Sequence, residues 1–391
     1  MKTFALFNRS RRESRDLSKK ELEQEEQKRF YYASQSQLIW WRFRRHKLAI
    51  VSTPFIILLY LSALFAPFIA PFGALSRIKP YINAPPTRIH FFAEQNGRKA
   101  FVGPFVYGMN RVINEETLRR SWILDKEIRY RLGFFVPGEE YELLGLFKSD
   151  IHLFGVAEGG PIFLFGTDDL SRDIFSRALF GARISLTIGL IGVILSFVLG
   201  LLIGGISGYF GGFIDEIIQR MIDFIMSIPT LPLWMALSAA LPRDWPVLKM
   251  YFAITVIFSI IGWTGLARVV RGKLLSLREE DFTIAARVSG ASEGRIISRH
   301  LLPLFLSYII VAATMSIPSM ILGETALSFI GLGLQPPAVS WGVLLKDAQS
   351  VVDIALMPWK LIPGLFIVAT VLLFNFMGDG LRDAADPYSQ V

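Results

Sequence analysis

The chain has no cysteine among its 391 residues, and only 19% of them are charged, against roughly 25% in soluble domains. Without thiols there is no thiolate nucleophile, Cys-ligated zinc, iron–sulfur cluster or disulfide scaffold. No G-x-x-x-x-G-K-[ST] occurs, so no P-loop cradles nucleotide phosphates, and no H-E-x-x-H occurs either. The four histidines, His46, His90, His152 and His300, lie far apart. One enzyme motif is matched formally: Gly290-Ala-Ser292-Glu-Gly294 fits G-x-S-x-G. A nucleophile elbow needs a strand before it and a helix after it, whereas this segment sits in a basic loop between apolar runs. The match is read as coincidence, and the chain as carrying no catalytic residues and binding no cofactor or metal itself.

What is plentiful is apolar surface: 52% of the residues are hydrophobic and the mean hydropathy is +0.44. That composition describes an integral membrane protein. The net charge of +8 then reads as topology, because basic residues gather on the cytoplasmic side of membranes. Residues 1–47 are rich in Lys and Arg, with no long apolar run and no small-residue cleavage pattern, so no secretory signal is expected. Within them, 9–29 reads as a solvated, partly helical tail.

A bilayer core of ~30 Å needs about 20 apolar residues in a helix. Six segments meet or nearly meet that need: Leu48–Ser76, Ile184–Ile214, Phe224–Pro242, Met250–Ala267, Leu301–Gly323 and Leu361–Gly378. Pro67 and Pro71 place the end of the first helix near them, and Tyr209–Gly212 reads as a turn. Arg42, Arg44, Arg45 and Lys47 precede the first span, and the 268–303 segment holds Arg268, Arg271, Lys273, Arg278, Arg287, Arg295 and Arg299. Both are expected on the cytoplasmic side, with both termini. The organisation expected is a cytoplasmic tail (1–47), a first transmembrane helix (48–76), an extracytoplasmic insert (77–183) and a transmembrane core (184–391) carrying the cytoplasmic loop 268–303. In the insert, Thr87–Phe92 and Lys99–Tyr107 suggest strands and Glu115–Leu132 a helix. The fold class is thus an all-α polytopic membrane protein of six transmembrane helices with a small mixed α/β insert.

In the second span Gly192, Ser196, Gly200, Gly204, Gly208 and Gly212 recur every four residues. Small residues on one face allow close helix approach, the means by which helices associate in lipid. The seam lies either within the chain or against another subunit. Pro229 and Pro232 fall inside the third span, and each is expected to kink it. Kinked helices either line a pathway or serve only packing. Glu324 closes the fifth span; an acidic residue at membrane depth marks a pathway candidate, while at the interface it would simply be hydrated.

Residues 279–303 are the most informative. A helix through Ala285-Ala286 breaks at Gly290, and a second starts with Ser292 as N-cap, with Ile296 and Ile297 on its apolar edge. Physics alone leaves two readings open: a hairpin shaped for a groove on a cytosolic partner, or a plain basic loop.

At this loop the sequence resembles the permease subunits of bacterial ATP-binding-cassette (ABC) importers. Ala285, Ala286, Gly290 and Pro303 stand at the spacing of their Glu-Ala-Ala…Gly…Pro loop, with Ile284 in place of the Glu. Phe165-Gly166-Thr167-Asp168-Asp-Leu-Ser171-Arg172-Asp173 looks like the stretch before the second span in dipeptide/oligopeptide permeases of the C type, where Gly usually stands at Ser171. Pro336-Pro337, Ser340-Trp341-Gly342 and Arg382-Asp383-Ala384 with Asp386-Pro387 match too. So does Trp40-Trp-Arg-Phe-Arg-Arg-His46.

The resemblance covers about 36–75 and 160–390 and implies a type I importer permease of a bacterial inner membrane. It implies a heterodimer with a second permease, two cytosolic ATPases that bind ATP and Mg, and an extracytoplasmic solute-binding protein, with no nucleic acid. The coupling element would comprise Ala285, Ala286, Arg287, Gly290, Ser292, His300 and Pro303. Related permeases serve peptides, nickel complexes, opines and some oligosaccharides. The rivals are a self-sufficient secondary transporter or channel, which needs a charged relay or an inverted repeat, and a membrane-anchored receptor built on 77–183.

Overall fold

The computed structural model of the protein describes residues 34–95, 98–113, 115, 120–156 and 160–386. The charged tail expected over 9–29, and Pro387, lie outside the described residues. Among the described residues, five helices are long and apolar enough to cross a membrane, or six if one bent pair counts as a single span.

The chain opens with α1 (Gln35–Phe43), started by a capping box between Ser34 and Gln37. Then come α2 (Lys47–Leu64) and the short α3 (Ala66–Ile69), whose second residue is Pro67. After the sheet described below, α4 (Ile174–Phe210) runs unbroken for 37 residues. It is followed by α5 (Gly212–Ser227), α6 (Thr230–Ala239), α7 (Val247–Leu277) and α8 (Asp281–Val288). The last part holds α9 (Leu306–Phe329), α10 (Trp341–Lys346), α11 (Val351–Leu356) and α12 (Ile362–Ala385). Phe258, Ile254, Ile188, Ile321 and Trp341 are fully buried where α4, α7, α9 and α10 meet.

Several helix boundaries differ from the hydropathy reading; the fourth span, expected to end at Ala267, continues as helix to Leu277. The second span begins ten residues earlier than Ile184, because Asp173 caps α4 and the charges inside its first turns are paired. One of them, Arg183, donates to the carbonyls of Ala63 (2.7 Å) and Leu64 (2.8 Å). It thereby satisfies open acceptors at the carboxyl end of α2. The third span is not one kinked helix over Phe224–Pro242; α5 and α6 meet at 85°. Ile228, which precedes Pro229, is extended (φ −92°, ψ 128°), as steric conflict with the proline ring demands. Pro232 causes no second kink, because it stands in the first turn of α6, where no backbone hydrogen bond is lost.

The four-residue stripe in α4 packs within the chain, mainly against α7. A Cβ on Gly204 would lie 2.5 Å from the Ala267 carbonyl oxygen, and one on Gly208 2.7 Å from that of Arg271. Ser259 adds a hydroxyl bond to the Gly192 carbonyl at 3.1 Å. Gly212 lies past the end of α4 with open space around it, and takes no part.

Between α3 and α4 stands a four-stranded antiparallel sheet in sequential order: β1 (His90–Gln95), β2 (Arg98–Ile113), β3 (Arg120–Leu143) and β4 (Phe147–Val156). The helix expected over Glu115–Leu132 is absent, since from Arg120 onward the chain is strand. Its Glu and Arg residues favour helix, but Trp122, Ile123, Ile128 and Tyr130 favour strand, and β2 supplies partners along Arg120–Arg131. Beyond Arg131 the same strand changes partner and pairs with β4 from Leu132 to Leu143. Met109 and Trp122 of the sheet pack with Ala84, Tyr81 and Phe163 of the flanking segments in a small core. Buried His152 completes the attachment: Nδ1 lies 2.6 Å from the Ala70 carbonyl and Nε2 3.0 Å from that of Glu139.

Candidate functional site

The segment after α7 forms a compact hairpin. Thr283 is fully buried and donates to the Leu277 carbonyl at 2.8 Å, folding α8 back on the end of α7. At the other end of α8, Gly290 adopts φ +79°. Its N–H reaches the Arg287 carbonyl (3.0 Å), and the Ala291 N–H reaches that of Ala286 (3.1 Å). This pair of bonds is the Schellman stop, which favours glycine because other residues are strained in the left-handed region. A Cβ there would meet nothing, so the requirement is one of backbone conformation alone.

Ser292 takes the N-cap position with an extended backbone, yet its hydroxyl makes no capping bond. The helix it was expected to start is one α-turn (Glu293–Arg295), a π-helical stretch (Ile296–Leu301) and a tight 3-10 stretch (Leu302–Phe305). Pro303 accounts for the irregularity, because its ring clashes with the carbonyl four residues back and it lacks an N–H. His300 is half-buried there, while Ile296 and Leu301 are fully buried.

Two arginines brace the hairpin on the end of α4. Arg278 donates to the Tyr209 carbonyl (3.3 Å), and Arg287 to the Tyr209 hydroxyl (3.4 Å) with its guanidinium over the ring. Close by, Arg271 forks onto both oxygens of Asp215 at 2.5 Å, tying α7 to α5. Ala286 and Ala291 turn toward the core beneath. Ala285, Phe282, Ile284 and Val288 face outward, with Val288 83% exposed. The result is an apolar knuckle on a rigid base.

The pathway candidates separate. Pro229 caps α6 at the bend and, like Pro232, is exposed on the surface of this chain. Glu324 is neither exposed nor hydrated at an interface; it is fully buried. It accepts hydrogen bonds from the hydroxyls of Ser340 (2.6 Å), Ser328 (2.8 Å) and Ser185 (3.3 Å). Each serine oxygen in turn accepts a backbone N–H: Val343, Leu334 and Trp341 respectively. Glu324 thus joins α4, α9 and α10 through one satisfied network, as a buried acid must.

Gly166, Thr167, Asp168, Arg172 and Asp173 come together in a tight buried loop. Gly166 has φ +76°, and a Cβ there would press on the Ala84 carbonyl at 2.7 Å. Thr167 pairs with Asp173 across the loop. Ser171 carries φ +63°, a strained conformation without glycine, and its hydroxyl donates to the Ile78 carbonyl at 2.5 Å. Asp168 binds Arg172 (2.7 Å) and Arg177, both buried. Asp347 lies 3.5 Å from Arg177, and Lys360 reaches Asp169 at 2.8 Å.

Sequence reading missed Arg177, Asp347, Lys360 and the three serines. Arg177 had a usable signal, a charge within one helical turn of an apolar run. Ser185 and Ser328 had none, since hydroxyls are common in such helices, while Ser340 stood in the matched Ser340-Trp341-Gly342 without its role being apparent.

Asp173 accepts from the backbone N–H and the hydroxyl of Ser176 at 2.7 and 2.6 Å. Burial pushes its carboxyl up from 3.8 to about 7 against those bonds, with Asp168 adding to the rise. A raised carboxyl stabilises the fold most fully below about pH 4, and that contribution is lost as pH climbs to about 7. Asp173→Asn keeps the cap without the titration. Thermal unfolding of the solubilised protein is expected to decline over this window in the parent and to be flatter in Asp173→Asn. Parallel profiles for the two would refute the assignment.

A family model described as "Binding-protein-dependent transport system inner membrane component" matches residues 173–389. A second, "N-terminal TM domain of oligopeptide transport permease C", matches 34–86. Residues 87–172, which hold the sheet, lie outside both. The oligopeptide transport system permease protein OppC of Bacillus subtilis (strain 168) is 40% identical over 224 residues, 57% of this chain and 71% of that one. The dipeptide transport system permease protein DppC of Alkalihalophilus pseudofirmus is 43% identical over 224 residues, covering 57% and 71%. Among solved structures, inward-facing forms of the MetNI methionine ABC transporter align with 53% of this chain and 96% of theirs, at 19% identity and a TM-score of 0.41.

Proposed function

We infer that this chain, which belongs to the family of binding-protein-dependent transport system inner membrane components, is the permease subunit of an ATP-driven importer of peptides, like its OppC and DppC relatives. It is a transport subunit, and ATP is hydrolysed by separate ATPase chains. In our reading it spans a bacterial inner membrane six times, the bent α5–α6 pair counting as one crossing, with both termini and the 268–303 segment cytoplasmic. A second, related permease completes the pathway, with Pro229 and Pro232 on the side of α6 turned toward it. Two ATPases sit beneath, and a solute-binding protein delivers cargo from outside.

One observation carries the coupling role: α8 presents exposed apolar residues on a hairpin whose base is locked to α4 and α7. Exposed apolar groups on a charged, water-facing loop mark a docking surface. Ala285, Ala286, Arg287, Gly290, Ser292, His300 and Pro303 then share one task. Ala285 meets the ATPase, Arg287 braces, Gly290 and Ser292 shape the turn, and His300 and Pro303 lie in the irregular return. When ATP draws the ATPases together, α8 is carried with them and pulls the ends of α4 and α7. The loop around Asp168 and the Glu324 network hold the opposite end of α4.

Because the chain has no cysteine, Val288→Cys supplies a single reactive thiol. A short bifunctional crosslinker on it is expected to capture an ATPase subunit in membranes, in a yield that changes with ATP. Uptake-competent transporter in which the thiol never reaches an ATPase would end this reading.

A further inference from the structure

A cavity of about 260 Å³ opens where α6 ends and α7 begins, and residues 331–338 close its other side. The far end of α7 carries the hairpin, so in our reading this cavity faces the compartment from which cargo arrives.

Its wall holds a polar group that the chain leaves unused. Ser238, in the last turn of α6, lines the cavity and is 4% exposed. Its hydroxyl makes no hydrogen bond among the described residues. A helical serine often returns its hydroxyl to the carbonyl four residues back, as Ser259 of α7 does to Thr255 at 2.7 Å. One turn deeper on α6, the Trp234 indole N–H is buried and equally unsatisfied. Its ring is wedged between Phe258 of α7, at 4.6 Å between centroids, and Gly323 of α9. Buried donors are normally paired, so this side of α6 is matched to an acceptor from outside the chain.

The mouth supplies charge of both signs. Arg243 and Asp244 are exposed in the lining, and neither side chain has a partner among the described residues. Lys249 lies over the Trp245 ring at 3.8 Å, and Lys346 donates to Gln335 Oε1 at 2.9 Å. Cations therefore stand behind two walls, while Trp245 and Met250 offer apolar surface.

We propose that this cavity holds a short zwitterionic peptide, with its carboxylate on Arg243, its ammonium on Asp244 and its terminal side chain against Trp245 and Met250. The Ser238 hydroxyl donates to a carbonyl of the same molecule. The inference rests on the reading of the chain as a peptide permease and adds a site to it. A free guanidinium grips a carboxylate through two parallel bonds, and a free acid beside it fits a molecule with two charged ends. Sites for drug-sized ligands measure about 300–1,000 Å³; this smaller cavity suits a peptide of two or three residues.

The absence of cysteine again supplies the probe. Ser238→Cys sets one thiol in the wall of the assembled transporter, its partner subunits made cysteine-free and its binding protein left out. Alanyl-phenylalanine is expected to slow modification of that thiol by a small methanethiosulfonate several-fold. Its amide and its N-acetyl form should protect far less, and adding Arg243→Gln should erase the difference between acid and amide. A modification rate indifferent to the dipeptide overturns the proposal, and so does equal protection by acid and amide. Ala239→Cys, also in the lining, repeats the measurement if Ser238→Cys fails to assemble. Dipeptide uptake by the parent transporter with its binding protein separates the two readings. Uptake without protection strikes the site alone, whereas failure of both strikes the peptide reading with it.

Discussion

Transporter carrying Gly290→Val is expected to take up substrate about tenfold more slowly or worse, with membrane insertion and assembly unchanged. The reason is the +79° φ of Gly290. A side chain in that conformation costs ~1–2 kcal/mol, and 1.4 kcal/mol is about a factor of ten in any equilibrium that needs the native turn. The β-branch of valine adds to this by restricting its rotamers. Steric collision plays no part, because the space around Gly290 is open. Gly294→Val gives the comparison: its surroundings are also open but its φ is ordinary, so uptake should stay near that of the parent. Measuring ATP hydrolysis beside uptake separates a broken linkage from a dead engine. Hydrolysis that persists while uptake fails is the expected pattern, and normal uptake by Gly290→Val would dismiss α8 as the transmitting element.

The second large effect is on stability. Arg177→Ala removes a guanidinium that is 1% exposed and bound to Asp168, with Asp347 3.5 Å away. Asp168 keeps Arg172 but loses its other buried guanidinium, and breaking a buried ion pair typically costs about 3–5 kcal/mol, reduced here by the partner that stays. The variant should therefore unfold at markedly lower temperature in detergent and accumulate poorly in membranes. Arg177→Lys should recover only part of the loss, since the shorter ammonium must replace a guanidinium nitrogen that reaches both Asp168 and Asp347. Unchanged unfolding in Arg177→Ala would mean that the cluster around Asp168 contributes nothing to the fold.

The helical part of this architecture was largely legible because lipid leaves few options: long apolar runs must be helices, and basic flanks mark their ends. The Gly200–Gly204–Gly208 seam was readable for the same reason, since a four-residue repeat of small side chains has one geometric meaning in a helix. The hairpin was readable from Gly290, whose left-handed backbone is required by the turn. Other features were not. Hydropathy placed the start of α4 at Ile184, because a charge such as Arg183, which donates to the carbonyls of Ala63 and Leu64, looks like the edge of a span until its partners are known. Pro232 looked like a kink, because its effect depends on whether a helix has just begun. The strand at Arg120–Leu143 was misread because its Glu and Arg content suggests helix, while pairing with β2 and β4 decides the matter. Ser185 and Ser328 beside Glu324 gave no warning, as their role exists only in three dimensions.

The uninterrupted run of α4 has a mechanical consequence. At ~1.5 Å per residue its 37 residues form a rod of about 55 Å, nearly twice the ~30 Å thickness of the hydrocarbon layer. Tyr209, near one tip, holds the knuckle, and the other tip is clamped by Asp173 and the salt cluster behind it. With the Asp173 tip held, a tilt of about 5° sweeps the Tyr209 tip, and the knuckle it carries, by ~5 Å.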